Sequence, residues 1–452
     1  MPDEIHQRPS SPAMSLPPRQ AYLRPQYVDQ FRCIGSACED TCCMGWSVPI
    51  DQATYEKYTA IEALKPHLGT TIVLNPEGAK SFDYARINTT NTSACFFLDE
   101  EHLCGIQKRF GPSFLSSTCA TYPRAVANIS GEEERALNLS CPEAARLTLF
   151  HDNLLGSSEV VPQTMGAERY ADFVHDFQRL QQAAPIPGDE LPYDPLLATR
   201  EFALLLLADR CYPLWQRLLL LGTVTRQLQA LSQGRPEAAF AVENPVIVAK
   251  LLADSATMIS QDQLRAAMDA VQLQPAEQLP LILKLLRLRV SQLAISPRFL
   301  ECLQEFEAGL GTATVTNDEQ LLTNFTHAYR SYLRPLLERH PHLLENYLTN
   351  YVFRTNYPFG RPADQPPSEN AADASTQHMR LCAQFGILQT MLIGMAAHDR
   401  EAFDEARVVK LVQSLAKAFE HSISSLREMS TFIAQRNLNN LRGIALLVKP
   451  ND

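Results

Sequence analysis

Cysteine is the residue type in this sequence whose number and spacing point to chemistry. The chain has 452 residues and 11 cysteines. Eight of them lie between residues 33 and 141, namely Cys33, Cys38, Cys42, Cys43, Cys95, Cys104, Cys119 and Cys141. Thiolates bind soft and borderline metals, and four thiolates per centre is the usual number for structural zinc and for iron–sulfur clusters. The array therefore predicts metal binding, with enough thiols for one cluster and spares or for two centres.

The spacing leaves the metal and its ligands open. Zinc and iron both accept thiolates at such intervals. The neighbours Cys42 and Cys43 do not easily direct both sulfurs to one metal unless the backbone turns sharply, so one of them is a candidate for a thiol outside the ligand set. The remaining three cysteines stand alone, and free cysteine is among the most buried residue types. We therefore expect Cys211, Cys302 and Cys382 to be core residues.

The rest of the composition predicts a reducing compartment for this array. The first 20 residues are rich in proline and serine and resemble neither a signal peptide nor a lipidation site. No stretch approaches the roughly 18 apolar residues that a membrane helix requires. We expect a cytoplasmic protein without membrane insertion, in which a cysteine cluster indicates metal or redox chemistry rather than disulfides. The net charge of −10 argues against a nucleic-acid partner.

Three segments of different character must position these residues. Residues 1–20 are predicted to be a disordered leader. Residues 21–150 form a cysteine-rich metal module, in which glycine, proline and asparagine punctuation predicts short helices and loops held by ligands. Residues 165–450 are predicted to be a large helical domain. The fold class is therefore mainly α, an irregular cysteine-rich metal-binding N-terminal module followed by a large helical domain.

Apolar residues recur at helical spacing through most of the second part of the chain. The predicted helices cover 168–182, 196–207, 214–231, 245–258, 261–271, 280–292, 317–339, 342–354, 376–395 and 401–421, the last continuing to 435. A proline-rich segment at 359–375 is predicted to be a loop. No strand ladder and no repeat of fixed period is evident in this part.

The residues around the cysteines resemble a known family. Phe31-Arg-Cys-Ile-Gly, followed by Cys-Glu-Asp-Thr-Cys-Cys-Met-Gly-Trp46, resembles the opening of the flagellin lysine-N-methylases. The segment from Cys95 to Cys104, with Cys119 and Tyr-Pro-Arg124 after it, is similar to the second half of that signature. It is shared more loosely with small cysteine-rich proteins described as zinc- or iron-chelating.

The likeness extends into the helical part. Trp215-Gln-Arg-Leu-Leu-Leu-Leu-Gly222, Glu345-Asn-Tyr-Leu-Thr-Asn-Tyr-Val-Phe-Arg354 and Ala418-Phe-Glu-His421 are similar to landmarks of the family's helical domain. The resemblance thus covers roughly residues 22–430 by the positions of its motifs.

The resemblance implies a methyltransferase that modifies lysine side chains of flagellin. It further implies S-adenosylmethionine as the methyl donor and a [4Fe-4S] cluster in the cysteine region. The sequence has no Gly-x-Gly-x-x-Gly on a strand–helix turn, so the usual doubly wound donor site is not evident. Nor is the spacing the Cys-x3-Cys-x2-Cys of radical enzymes that cleave S-adenosylmethionine. We expect the donor to bind in another way, and binding at the cluster is one hypothesis.

Methyl transfer to lysine requires a neutral amine and a site for a sulfonium donor. Tyr347, Tyr351 and Arg354 are predicted to share one face of a helix. With Asn346 they form a candidate pocket, in which the tyrosines are assigned to catalysis and Asn346 and Arg354 to donor binding, because aromatic faces attract sulfonium and ammonium cations. The alternative is that the tyrosines belong to an amphipathic core with their hydroxyls at its edge.

Three further features are candidates for the site. His421 is a candidate base near neutral pH, or else a structural histidine. Arg124 is predicted to pair with a thiolate cluster or with the donor carboxylate. His102 lies between two cysteines, in a segment that is either a solvated loop or the source of a non-thiolate ligand. The acidic run 132–134 is predicted to be a solvated turn.

Two other functions fit the cysteine array. One is a non-catalytic zinc- or iron-chelating binding module, and the other is an electron-transfer protein. The iron and sulfide content of anaerobically purified protein distinguishes an iron–sulfur protein from a four-thiolate zinc protein.

Overall fold

The computed structural model describes residue 25 and residues 27–450 with internal gaps. The gaps are 45–47, 76–82, 90–93, 130–131, 156–169, 183–192, 232–244, 272–274, 291–295, 313–316, 359–372 and 420–422. The predicted leader, the predicted loop over most of its length, and His421 lie outside the described residues. Helices make up 70% of the structure and strands 8%, which confirms a mainly α fold.

The described residues of the cysteine-rich part form five short α-helices and five short strands, besides 3-10 turns. The helices are α1 (Tyr27–Gln30), α2 (Gln52–Thr59), α3 (Gly105–Phe110), α4 (Ser117–Thr121) and α5 (Pro142–Leu149). The strands are β1 (Val48–Ile50), β2 (Ile72–Leu74), β3 (Ala85–Ile87), β4 (Arg124–Ile129) and β5 (Glu132–Leu137). Strands β1, β3 and β2 form one antiparallel sheet in that order, and β4 and β5 form a hairpin.

This part has a hydrophobic core of its own, beside its cysteines. Val48, Ile50, Ile72 and Ile87 are buried on the small sheet, and Tyr58 of α2 packs with them. The prediction of short helices and loops was therefore incomplete, because strands of three residues are too short to show an alternating pattern.

The remaining helices form the large α-helical part. They are α6 (Ala171–Gln182), α7 (Pro195–Leu207), α8 (Leu214–Leu231), α9 (Pro245–Ile259), α10 (Asp262–Asp269), α11 (Pro275–Val290), α12 (Pro297–Leu310), α13 (Asp318–Ala328), α14 (Arg334–Arg339), α15 (Leu343–Thr355), α16 (Ala374–Asp399), α17 (Glu405–Phe419), α18 (Ile423–Gln435) and α19 (Leu441–Val448). A π-helical turn, Tyr329–Leu333, joins α13 to α14. The predicted helices are confirmed in place, but α12 and α19 were missed by the sequence analysis. Two predicted runs each correspond to two helices: 317–339 is divided by this turn, and 401–435 corresponds to α17 and α18.

Helix α16 is the centre of the helical part. It packs against α8, α11, α12 and α19. The crossing with α12 is close, since a Cβ on Gly309 would lie 2.0 Å from the carbonyl oxygen of Gly394. Among the described residues, Ala374–Ala402 is long and apolar enough to cross a membrane by length and composition, but 83% of its apolar window is buried inside the protein. Its apolar character is therefore accounted for by the core.

Strand β5 joins the cysteine-rich part to the helical part. The side chain of Glu134 on β5 is 2% exposed and forms a salt bridge with Arg200 of α7, which is fully buried. Asn350 of α15 donates from Nδ2 to the Leu137 carbonyl at 3.0 Å and accepts from the Tyr27 hydroxyl. The prediction of a solvated turn at 132–134 was wrong, because alternation along a strand directs Glu134 inward while its neighbours face solvent.

Candidate functional site

The eight cysteines of the array all lie in the cysteine-rich part, and each is a free thiol. Cys104 and Cys141 precede the first turns of α3 and α5, and Cys119 lies within α4. The Cys95 amide donates to the Cys43 carbonyl at 2.7 Å. This hydrogen bond holds two distant segments of the array against each other.

Three of the thiols form a hydrogen-bonded group. The Cys43 thiol lies within hydrogen-bonding reach of Cys104 and of Cys42. Its hydrogen bonds lower the pKa of Cys42 to about 7 and the pKa of Cys104 to about 6. The same contacts, together with burial, raise the pKa of Cys43, which keeps the shared proton. Two thiolates are thus favoured near neutral pH, and the thiolate is the form that binds metal.

The other five cysteines interact electrostatically with this group or with one another. Burial raises the pKa of Cys95 and raises that of Cys119 to about 12, with contributions from the charges of Cys104 and Cys42. Burial also raises the pKa of Cys141 to about 12, and this thiol interacts with Cys38 and Cys42. The remaining cysteine, Cys33, interacts with Cys38.

The chemistry of the donors fits a soft metal, since every candidate ligand in the group is a sulfur. Within the described part of the chain, no three or more His, Cys, Asp or Glu side chains are placed so that they could hold a metal ion. His102 is exposed on a turn in which Asp99 accepts from the Leu103 amide and from Lys108, as expected for a solvated loop.

A cleft opens beside the array, where the cysteine-rich part meets α17. It has a volume of about 230 Å³. Its walls come from both parts of the chain, and we refer to it as the Cys42 cleft. The residues that line it are Cys42, Thr118, Thr121, Tyr122, Arg124, Asn138, Ser140 and Lys417.

Helix α17 holds the loop that carries Cys42. The Lys417 ammonium lies 2.8 Å from Asp40 Oδ2 and donates to the Thr41 carbonyl at 2.9 Å. One turn earlier, Gln413 Nε2 donates to Asp40 Oδ2 at 2.6 Å and to the Ser140 carbonyl at 3.1 Å. Sequence reasoning missed both side chains. The signal in the sequence was a polar pair four residues apart on an amphipathic helix, which by itself does not distinguish a docking face from a solvated one.

Arg124 begins β4 and faces the same cleft. Its guanidinium donates to the Phe31 carbonyl at 3.2 Å and lies 5.1 Å from the centre of the Phe31 ring. Next to it, the Tyr122 hydroxyl is 3.0 Å from Ser140 Oγ, and burial raises the pKa of Tyr122. Arg124 and Cys42 therefore line the same cleft, and the pairing of Arg124 with a thiolate cluster or with the donor carboxylate stays a prediction.

The residues predicted on α15 lie elsewhere. Asn346 donates to the carbonyls of Leu149 and His151, at 3.2 and 2.8 Å. Tyr347 and Tyr351 are 3% and 4% exposed within the main core, and Arg354 lies 5.5 Å from the centre of the Tyr351 ring. None of these four is among the described residues that line the Cys42 cleft.

The isolated cysteines agree with the prediction of core positions. Cys302 and Cys382 are fully buried, and Cys211 is partly buried against the same core. The Cys382 sulfur is 3.3 Å from His378 Nε2, whose other ring nitrogen is 2.7 Å from the Tyr357 hydroxyl. These three side chains lie inside the helical part, away from the array.

Comparison with known proteins places the helical part in a family. Residues 200–447 match the family described as FliB lysine N-methylase C-terminal domain. The chain belongs to this family. It is 33% identical over 144 residues to the lysine-N-methylase of Salmonella choleraesuis (strain SC-B67), which is 31% of this chain and 36% of that protein.

Two further relatives show the same pattern. The lysine-N-methylase of Salmonella typhimurium has the same identity and coverage. The flagellar biosynthetic protein FliU of Salmonella muenchen is 35% identical over 137 residues, 30% of this chain and 80% of that protein. The chain thus spans 36% of the length of the two lysine-N-methylases. No solved structure matches the chain.

Proposed function

We propose that this protein transfers methyl groups from S-adenosylmethionine to lysine side chains of flagellin in the cytoplasm. The observation that carries the proposal is the match of residues 200–447 to the lysine N-methylase family. The names of the relatives, lysine-N-methylase and flagellar biosynthetic protein, support the reaction and the substrate. In the net reaction the sulfonium methyl replaces one proton of the lysine ε-amine, leaving S-adenosylhomocysteine and a proton.

The cysteine array is the proposed binding site of a [4Fe-4S] cluster. The four ligands are drawn from the eight thiols of the array. When bound, such a cluster supplies redox-active iron to the adjoining cleft. Hydrogen bonding to Cys43 favours the deprotonated forms of Cys42 and Cys104, and ligation requires the deprotonated form.

The chain's own residues then provide the surroundings for transfer. Lys417 and Gln413 hold the Cys42 loop against α17, so that the array and the family's helical domain share one cleft. Arg124 is the proposed donor-binding residue, because its guanidinium faces that cleft. The roles assigned to Tyr347, Tyr351, Asn346, Arg354 and His421 stay predictions.

Mass spectrometry of flagellin tests the proposal. Flagellin is produced together with the wild-type chain, with Cys104→Ser, or with the matched control Cys211→Ser, which changes a cysteine outside the array. We expect methylated lysines with the wild type and with the control, and their loss with Cys104→Ser. The absence of methyl-sized mass increments with the wild type would overturn the proposal.

Metal analysis of the same preparations distinguishes an iron–sulfur methylase from the main alternative, a non-catalytic metal-binding module. Anaerobically purified wild type is expected to contain iron and sulfide, and Cys104→Ser to contain less of both. Zinc bound by thiolates without iron, together with unmodified flagellin, would instead identify a non-catalytic metal-binding module.

A further inference from the structure

We propose that the Cys42 cleft binds the amino-acid end of the methyl donor, with Arg124 and Lys417 facing its carboxylate. This inference rests on the proposed function, and it locates the donor at a site that no glycine-rich motif marks. It is carried by the size of the cleft, the distribution of charge on its walls and its position against the cysteine array.

The size of the cleft fits part of the donor. Pockets that enclose whole drug-sized ligands measure about 300–1,000 Å³, whereas this cleft measures about 230 Å³. An α-amino acid group fits that volume, and a nucleoside attached to it does not. The adenosine end of the donor would therefore lie at the rim, and the amino-acid end would lie inside.

Arg124 is the group in the cleft that suits a carboxylate, since Asp40 already balances the charge of Lys417. Among the described residues Arg124 forms no ion pair, and its one recorded side-chain hydrogen bond, to the Phe31 carbonyl, uses one of five guanidinium N–H groups. The remaining N–H groups suit a two-point contact with a carboxylate. On the part of the chain that the structure describes, Lys417 uses two of its three N–H groups, on Asp40 and on the Thr41 carbonyl, and the third suits a ligand.

The neutral polar side chains suit the amino group of the same ligand. Asn138, Ser140, Thr118 and Thr121 supply amide and hydroxyl oxygens around the two cations. Because Cys42 lines the same cleft, a donor bound in this way has its sulfonium close to the array. The cleft thus combines anion contacts, amine acceptors and a thiol of the array within one amino-acid-sized space.

A pair of ligands isolates the contribution of the amino-acid end. S-Adenosylhomocysteine keeps that end, whereas 5′-deoxy-5′-methylthioadenosine keeps the nucleoside and the thioether and lacks it. Isothermal titration of both ligands into the anaerobically purified full chain is compared for wild type, Arg124→Met and Arg124→Lys. The matched control is Arg86→Met, which changes a half-exposed arginine paired with Asp83 on the small sheet.

Arg124→Met is expected to weaken S-adenosylhomocysteine binding about tenfold or more, the usual effect of losing a hydrogen bond to a charged group. Binding of methylthioadenosine should be unchanged, which also shows that the variant is folded. Arg124→Lys should keep part of the affinity, and Arg86→Met should keep all of it. Unchanged S-adenosylhomocysteine binding in Arg124→Met, or an equal loss for both ligands, would overturn the inference.

The design separates this inference from the proposed function. If Arg124→Met keeps its affinity for S-adenosylhomocysteine but shows a higher KM for flagellin, the cleft receives an acidic side chain of the protein substrate, and the inference is overturned while methylation stands. A different result is that Arg124→Met loses affinity for S-adenosylhomocysteine alone while flagellin stays unmodified by the wild type. In that case the cleft assignment holds and flagellin methylation fails.

Discussion

Substituting Glu134 with alanine removes one half of the buried ion pair that joins β5 to α7. The carboxylate is 2% exposed, and Arg200 is fully buried. The Arg200 Nε lies 3.0 Å from Glu134 Oε1, and Nη1 donates to the carbonyls of Tyr357 and Val352 at 2.7 and 3.3 Å. The variant leaves the guanidinium held by these carbonyls, inside the protein, without a counter-charge.

The expected cost follows from this burial. Removing one partner of a buried pair destabilises a protein by about 3–5 kcal/mol, because the remaining charge stays desolvated. That is a large part of a typical stability of about 5–15 kcal/mol. Glu133 is the matched control. It is the preceding residue on the same strand, but its pair with Arg135 is about half exposed on both sides, and such pairs contribute little.

Denaturation by guanidinium chloride, followed by far-ultraviolet circular dichroism, measures the effect. We expect a markedly lower midpoint for Glu134→Ala and an unchanged midpoint for Glu133→Ala. The double variant Glu134→Leu/Arg200→Met removes both charges, so it should be more stable than Glu134→Ala while losing the two carbonyl contacts. Equal midpoints for the two single variants, or a double variant less stable than Glu134→Ala, would refute the reasoning.

Three further predictions concern the core and the cleft. Burial lowers the pKa of His378 from 6.5 to about 4, so the unfolded chain binds the proton more readily than the folded chain does. The free energy of unfolding should therefore fall by on the order of 3 kcal/mol as the pH drops from 6.5 to about 4. His378→Gln should flatten the pH dependence of the denaturation midpoint across that range. Gly309→Ala places a methyl group 2.0 Å from a carbonyl oxygen of α16 and should lower the free energy of unfolding by at least about 1–3 kcal/mol. Leu300→Ala, on the exposed face of the same helix, should change it by less than about 0.5 kcal/mol. Equal effects of the two variants would contradict the close crossing of α12 and α16. Lys417→Met removes the contacts that hold the loop carrying Cys42, and it should lower the amount of iron that the protein retains after gel filtration. Lys250→Met, on an exposed helix face, should leave the iron content unchanged. Equal iron contents in the two variants would show that α17 does not position the array.

Long helices were predictable because their apolar spacing persists over several turns. The run 214–231 has the same bounds as α8. Helix α12 also has signals at its ends, since the Ser296 side chain accepts from the Phe299 amide and Gly311 follows its last residue with a φ of 70°. By contrast, each strand of the small sheet is three residues long, which is too short for a period to appear.

Only those parts of the candidate site that lie close together along the chain were predictable from the sequence. The cysteine array and Arg124 lie within one segment whose residue types indicate metal and anion chemistry. Lys417 lies 377 positions from Asp40, and only tertiary packing brings the two together. Tyr347 and Asn346 share a helix whose pattern suits a pocket or a core equally well, and in the structure their side chains lie among core residues and backbone carbonyls.

Transfer of an isotope-labelled methyl group tests the central claim most directly. Anaerobically purified protein is incubated with flagellin and with S-adenosylmethionine that carries a trideuterated methyl group, with and without reductant, and flagellin peptides are sequenced by mass spectrometry. The account predicts trideuterated methyl groups on flagellin lysines and the formation of S-adenosylhomocysteine. Flagellin without labelled lysines under both conditions, from protein that retains its iron, would contradict it.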